Sequence, residues 1–264
     1  MTTLATTASA PARYGFRQAA RMEWVKLRTL RSTFYALLLT VVSMVAIGVV
    51  TMANTKAPSP DKAATFDPTN NVLAGVALGQ LLIGVLGVLI VTGEYSSGSI
   101  RSTLAVLPDR RLLLTAKACV YGGVVLLVGE VVAFLTFFAG RAALAAGVPR
   151  PDLGDAGVLR AVLMSGAYLG MIGLMGLGIG AIIRHTASAI ASLVGVTFVL
   201  PALIGGISGP TVAKYFPTMI AGNSLAVTKP VSDMLAPWTG FAVLCLYTAV
   251  VLGVGARLLA RRDA

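Results

Sequence analysis

The sequence has few charged residues, and this scarcity excludes most classes of soluble protein. Only 12% of the 264 residues are Asp, Glu, Lys or Arg, whereas 56% are hydrophobic. A soluble domain of this length carries roughly 25% charged residues to cover its surface. The composition therefore excludes a disordered chain, a collagen-like repeat, a disulfide scaffold and a sizeable soluble catalytic domain, and it predicts a membrane protein.

Residues that support common catalytic chemistry are also scarce. No lysine follows a glycine, so the GxxxxGK[ST] phosphate-binding loop is absent and ATP hydrolysis would require another chain. The single histidine, His185, excludes an HExxH zinc site. The two cysteines, Cys119 and Cys245, lie in apolar runs without metal-binding or redox spacing. We therefore expect no catalytic residue, no metal site and no cofactor on this chain.

Long apolar intervals between clusters of charge predict the fold class. Six intervals each contain between 23 and 28 residues, all of them uncharged except for Glu130. At a rise of about 1.5 Å per residue, such an interval is long enough to cross a hydrocarbon core of about 30 Å. We predict an all-α polytopic membrane protein with six transmembrane helices, at about 33–53, 72–93, 118–140, 161–183, 187–207 and 237–257.

The distribution of Lys and Arg predicts the orientation of these helices. With the N-terminus inside, the inner segments hold 14 of the 21 basic residues but only four of the 10 acidic residues. An excess of basic residues marks the cytoplasmic side of a membrane protein, so both termini are expected in the cytoplasm. This placement also accounts for the net charge of +11, and we predict a multi-pass plasma-membrane protein with no nucleic-acid partner.

The segments outside the six spans differ in character. Residues 15–32 place an apolar stripe and Trp24 among basic residues that include Lys26 and Arg28, which predicts an interfacial amphipathic helix. The alternative is a basic juxtamembrane segment that only determines topology. Residues 1–14 are expected to be disordered, the proline-rich outer segment 208–236 to form short helices that re-enter the membrane, and residues 258–264 to form a cytoplasmic tail.

The inner loop after the second span predicts a short helix. It begins with Glu94, offers Ser96 or Ser97 as an N-cap, and can continue as a helix to about Ala105 before the Leu107-Pro108 pair ends it. A short polar helix at the inner ends of two spans is typical of a docking surface. The alternative interpretation is a solvated connector.

This loop resembles a motif of type-2 ATP-binding cassette (ABC) permeases. The family segment E-x-x-x-G-[ST]-x-x-x-[ST]-L-x-x-x-P matches Glu94, Gly98, Ser99, Thr103, Leu104 and Pro108. Three other pieces resemble an actinobacterial-style branch of the family: Glu23-Trp24-x-Lys26-Leu27-Arg28-Thr29, the stretch LGIGAIIRHTASAIASLVG, and the closing Arg261-Arg262-Asp263-Ala264. The resemblance covers nearly the whole chain in order.

The resemblance implies a transport function and a set of partners. It implies a coupling helix at about 97–105 that docks onto an ATPase, with the N-terminal helix lying beside it. The implied ATPase-coupling residues are Glu94, Ser97, Gly98, Ser99, Arg101, Thr103 and Leu104. The implied partners are two copies of an ABC ATPase subunit, which carry ATP and Mg, and a second permease copy, identical or related. The chain is thus expected to be the permease of an ABC exporter; the alternative is a non-transport membrane protein, either an enzyme or a scaffold of a signalling complex.

Glu130 is the only acidic residue inside a predicted span. A carboxyl group at that depth is costly unless it faces the helix bundle, a partner or water. One interpretation places Glu130 on a translocation path that favours cationic or polar cargo. The other makes it a hydrogen-bonding group between helices, and the sequence leaves both open.

Overall fold

The structure is a computed structural model that describes residues 15–59, 66–227 and 234–262. All regular secondary structure in these ranges is helical. The predicted disordered segment 1–14 lies outside the described residues. The helices are α1 (Phe16–Thr29), α2 (Arg31–Ala53), α3 (Pro68–Val72), α4 (Val76–Ser96), α5 (Ser99–Val106), α6 (Arg110–Ala143), α7 (Val158–Ile183), α8 (Thr186–Val194), α9 (Leu200–Ser208), α10 (Pro210–Ala213), α11 (Pro217–Leu225) and α12 (Pro237–Arg261).

Six helical segments among the described residues are long and apolar enough to cross a membrane. They are α2, α3 with α4, α6, α7, α8 with α9, and α12. A 3-10 turn at Leu73–Gly75 joins α3 to α4, and a π turn at Gly195–Val199 joins α8 to α9. The chain is therefore a polytopic all-α membrane protein, and this predicted fold class is confirmed.

Several boundaries differ from those predicted. The third span begins at Arg110 rather than near residue 118, since the helix continues beyond the apolar interval through Arg110, Arg111 and Lys117. The last helix continues through Arg261, so residues 258–261 of the predicted tail are helical. The predicted interfacial helix 15–32 is interrupted at Leu30, whose extended backbone separates α1 from α2.

Helices α4 and α7 form the centre of the bundle. The apolar windows of the spans that contain α4 and α7 are 56% and 67% buried, against 17% to 22% for α2, α12 and the α8–α9 span. Their backbones touch through glycine. A Cβ atom added to Gly87 would lie 2.2 Å from the carbonyl oxygen of Gly173, and one added to Gly176 would lie 2.2 Å from that of Gly84. Only glycine permits so close an approach of two helices.

The helix of the fifth span leaves one backbone carbonyl without its helical donor, and the outer segment supplies a hydrogen bond to it. Pro201 has no N–H group, so the carbonyl of Thr197, four residues earlier, loses its helical hydrogen-bond donor. The hydroxyl of Thr218, in the first turn of α11, donates to that carbonyl. Because an unpaired carbonyl inside a membrane is costly, this bond ties α11 to the break.

The far end of α11 is also held by charged side chains. The Arg160 guanidinium, in the first turn of α7, donates to the carbonyls of Ser224 and Ala226 at 2.6 and 2.8 Å. The Asp67 carboxylate, at the start of α3, accepts the N–H of Val227 at 2.6 Å. The outer segment 208–236 thus contains two short helices, α10 and α11, although its residues 228–233 lie outside the described ranges.

Substitution of a central glycine should separate α4 from α7. We expect Gly87→Ala to destabilise the protein by about 1 to 3 kcal/mol, the usual cost of overpacking, because its Cβ meets a backbone carbonyl. The measurement is the midpoint of thermal unfolding of the purified chain. Gly93→Ala, in the same helix, is the matched control, since its Cβ meets nothing within 4 Å. Equal midpoints for the two variants would contradict this packing.

Candidate functional site

Four charged side chains from three helices meet at one end of the bundle, which we call the inner end because the sequence predicts that it faces the cytoplasm. Glu23 and Lys26 come from α1, Glu94 from the end of α4, and Lys117 from α6; we call these four residues the ion cluster. The Lys117 Nζ atom lies 2.6 Å from Glu23 Oε2 and 2.8 Å from Glu94 Oε1. The Lys26 Nζ atom lies 3.1 Å from Glu23 Oε1 and 2.9 Å from Glu94 Oε1. Each ammonium contacts both carboxylates, so the ion cluster is neutral as a whole.

A fourth helix, α5, joins the ion cluster through one hydrogen bond. The Lys26 Nζ atom donates to Thr103 Oγ1 at 3.1 Å. Thr103 is buried at 7% exposure and faces away from solvent. Lys26 therefore links α1 to both α4 and α5.

Two of the four side chains of the ion cluster are almost fully buried, which makes their pairing essential. The side chains of Glu23 and Lys117 are only 4% and 5% exposed. Burial opposes the charge of Lys26, but the neighbouring Glu23 and Glu94 carboxylates outweigh it and hold the pKa of Lys26 above its ordinary value. The Lys26 ammonium is therefore charged at neutral pH. A buried charge that loses its partner is strongly destabilising, so each helix depends on the others here.

An apolar layer beside the ion cluster packs the same helices together. It consists of Ala19 from α1, Ile100 from α5, Leu107, and Leu113 and Ala116 from α6. Leu104 is partly buried against this layer. One face of α5 is thus held by Ile100, Thr103 and Leu104, and the helix cannot roll without losing these contacts.

Glycine determines where α5 begins. Gly98 has φ 72° and ψ −1°, a left-handed conformation that glycine adopts without strain. It occupies the N-cap position, so the expectation of Ser96 or Ser97 as the cap was wrong. The helix runs from Ser99 to Val106 rather than from 97 to 105. The Ser97 hydroxyl instead donates to the Gly93 carbonyl at 2.8 Å and lies 2.9 Å from the Ser99 hydroxyl.

The opposite face of α5 is open to solvent. Ser99, Arg101, Ser102, Ala105 and Val106 are all exposed. The residues suggested by the resemblance therefore separate into two groups. Glu94, Thr103 and Leu104 face the bundle, whereas Ser97, Gly98, Ser99 and Arg101 are exposed. On α1, Lys26 lies in the ion cluster, whereas Trp24 and Arg28 are exposed.

Arginines connect the same inner region to α12. The Arg110 guanidinium donates to the Leu259 carbonyl at 3.2 Å, and the Arg184 guanidinium lies 3.4 Å from that of Leu258. These carbonyls belong to the last turn of α12, where helical donors run out. Arg184 also lies 5.1 Å above the ring of Tyr95, the residue after Glu94. The inner ends of α4, α6, α7 and α12 therefore form one connected layer.

Sequence reasoning missed two members of the ion cluster as site residues. Glu23 enters the sequence prediction only within a motif, and Lys117 does not enter it. A signal for Lys117 exists: it stands directly before one of the six long apolar intervals, where an ammonium needs a partner or water. Its partners could not be read from the sequence, because Glu23 is 94 positions away.

Glu130 belongs to α6, and its side chain lies against α7. A Cβ atom added to Gly166 of α7 would lie 2.5 Å from the Glu130 carboxyl carbon. The Oε2 atom is buried and has no hydrogen-bond partner among the described residues. The carboxyl group is therefore packed against a neighbouring helix backbone.

The fold and the inner site define a multi-pass membrane protein that presents a short, firmly held helix beyond the inner ends of its spans. In the described ranges, no group of three His, Cys, Asp or Glu side chains could hold a metal ion.

A family model described as "ABC-2 family transporter protein" matches residues 19–204, which include the whole ion cluster and α5. The chain therefore belongs to the ABC-2 transporter family and is a permease component of an ABC transporter rather than an enzyme in itself. No curated protein matched the chain. The family match does not distinguish branches, so the actinobacterial-style branch stays a prediction.

Loss of one buried charge should destabilise the inner layer. We expect Lys117→Met to cost about 3 to 5 kcal/mol, because it leaves the Glu23 carboxylate buried without its closest partner. Thermal unfolding of the purified chain measures the loss. The control is Arg141→Met, which removes an exposed pair with Asp152 and should change the midpoint little.

A double variant tests whether the cost comes from the unpaired charge. Glu23→Gln combined with Lys117→Met removes both charges, and it should recover part of the stability lost in Lys117→Met alone. Additive losses in the double variant would show that the two side chains act independently.

Proposed function

We propose that this permease belongs to an ABC exporter and is driven by separate ATPase subunits that dock onto α5. The observation that carries the proposal is the division of α5 into two faces. One face is held by Thr103 and the apolar layer, and the other exposes Ser99, Arg101 and Ser102. A docking helix needs both properties, because it must contact a partner and also pass on the partner's movement.

The ion cluster supplies a route for that movement. A push on α5 acts on Lys26 through Thr103, and Lys26 contacts the Glu94 carboxylate at the end of α4. Lys117 passes the same displacement to α6. Helix α4 touches the backbone of α7, so the two central spans move together. Nucleotide-driven closure of the ATPase subunits would in this way shift the core of the bundle.

The orientation follows from the distribution of basic residues. We place both termini and α5 on the cytoplasmic side of the plasma membrane, where the ATPase and its ATP and Mg are found. Trp24 and Arg28 are exposed on α1, which suits an amphipathic helix at the level of the lipid headgroups. Export as the direction of transport is what the resemblance of the loop from Glu94 to Pro108 implies.

The working assembly is proposed to contain two permease copies and two ATPase subunits. The peripheral spans support a second permease copy, since α2, α12 and the α8–α9 span are the least buried of the six. No feature of the described residues favours the alternative of a membrane enzyme or a signalling scaffold.

Cross-linking tests the docking face directly. Cys119 and Cys245 are first replaced by Ser, and Arg101→Cys is then introduced and the chain co-expressed with a single-cysteine library of its ABC ATPase. We expect an ATPase adduct at this position, because Arg101 is exposed at the centre of α5. Arg150→Cys, exposed in the loop between α6 and α7, is the control and should give none. Adducts only from cysteines in α1 or at the end of α12 would overturn the assignment.

Glu130 is proposed to contribute to helix packing rather than to a translocation path. Its carboxyl group packs against Gly166 of α7, which supports this role. Glu130→Gln retains size and hydrogen-bonding capacity, so we expect unchanged ATP hydrolysis by the reconstituted complex. Glu130→Leu removes the hydrogen bond that the Ala167 backbone N–H donates to this carboxyl group, and it should lower stability by about 1 kcal/mol, the scale of hydrogen bonds within membranes. If the Gln variant lost ATP hydrolysis at unchanged stability, the result would contradict a packing role and would support a position on the translocation path.

A further inference from the structure

A groove opens between α6, α7 and α12 in the inner half of the bundle. Its volume is about 510 Å³. The lining is apolar or glycine apart from Thr115 and Cys119. Characteristic lining residues are Leu114, Gly123 and Leu126 on α6, Gly170 on α7, and Leu252 and Gly253 on α12. It lies along transmembrane helices, so the surrounding medium is lipid.

Both walls of the groove lead to exposed arginines. On α6, four-residue steps run from Gly123 back to Arg111, and on α12 they run from Gly253 to Arg257 and Arg261. Residues four apart are neighbours on a helix surface, so Arg111 follows Thr115 on the α6 wall, Arg257 follows Gly253 on the α12 wall, and Arg261 lies one turn beyond Arg257. All three arginines are exposed. The groove is therefore apolar along its length and cationic at its inner mouth.

The mouth is held in place by the chain itself. Arg110 donates to the carbonyls of Leu259 and Arg262, which fastens the start of α6 to the end of α12. The nearby Asp109 carboxylate accepts the N–H groups of Arg111 and Leu112 as the N-cap of α6. The Asp109 carboxylate is therefore used in the helix cap. Because three arginines are exposed beside this single acid, the mouth of the groove carries a net positive charge.

We propose that the groove binds an anionic phospholipid of the cytoplasmic leaflet. One acyl chain fills the apolar groove, and the phosphate lies among Arg111, Arg257 and Arg261. The arginines sit at helix ends, where headgroups of the inner leaflet lie, and basic pockets between helices on that side favour anionic lipids. A neutral lipid would match the groove but not its mouth. The proposal rests on the orientation proposed above and does not depend on ATPase docking.

The glycines of the groove allow it to be filled without disturbing the fold. A Cβ atom added to Gly123 or Gly253 would meet no other heavy atom within 4 Å. Gly122 differs, because its Cβ would lie 2.9 Å from Leu174. Gly253→Leu therefore projects into the space assigned to the acyl chain. Gly206→Leu, at an exposed glycine of α9 with equal freedom, is the matched control.

Native mass spectrometry measures the retained lipid. The full chain is reconstituted with equal parts of phosphatidylglycerol and phosphatidylethanolamine, purified in mild detergent, and examined without any ATPase. We expect the wild type to retain phosphatidylglycerol preferentially. Arg111→Gln and Arg257→Gln should each lower its retention about fivefold, the effect of one basic residue near the membrane surface. Gly253→Leu should also lower retention with an unchanged midpoint of thermal unfolding.

The controls separate this site from general attraction to lipid. Arg21→Gln removes an exposed charge from α1, and it should leave retention unchanged, as should Gly206→Leu. Equal retention of the two lipids by the wild type, or an equal loss in the controls, would overturn the proposal. So would displacement by water-soluble glycerol phosphate, which would indicate a phosphate site without an acyl chain, or a dimer whose formation depends on Gly253. Because no ATPase is present, failure here leaves the docking proposal intact, and failed cross-linking leaves this one intact.

Discussion

The pairing of buried charges at the inner end of the bundle is the constraint on which the rest of the site depends. Glu23 and Lys117 are almost fully buried, and removal of one leaves the other without its closest partner. Their contact, extended by Lys26 and Glu94, requires α1, α4 and α6 to meet at one point. Once they meet, Thr103 has a donor in Lys26, and α5 takes up a defined position. An exposed helix of eight residues acquires rigidity that its own hydrogen bonds could not supply.

Contacts elsewhere connect this layer to the whole transmembrane unit. The approach of α4 to α7 at Gly87 and Gly176 is backbone to backbone, so neither helix can shift alone. At the opposite end, Arg160 and Asp67 hold the chain beyond α11. A displacement applied at α5 would therefore act on a core that is stiff along its length.

The sequence predicted the parts of the structure that depend on local chemistry. Apolar length predicts the six spans. A serine cap at Ser96 or Ser97, followed by the Leu107-Pro108 stop, predicts a short helix that overlaps α5. The contacts of Lys117 could not be predicted, since they join residues distant in the chain and depend on how the helices pack. The same holds for Glu130, whose neighbour Gly166 is visible only once α6 and α7 lie side by side. The cap at Gly98 was missed because a left-handed glycine competes with the usual serine cap.

Hydrogen exchange along α5 tests the central claim most directly. Among the described residues, Lys117 makes no hydrogen bond or ion pair with α5 itself, and its polar link to this helix runs through Glu23, Glu94 and Lys26. In the Lys117→Met variant, the account predicts faster amide exchange across Ser99–Val106, with unchanged exchange in the distant helix α9. Unchanged exchange in α5, in a variant whose ion cluster is disrupted, would show that the cluster does not hold α5.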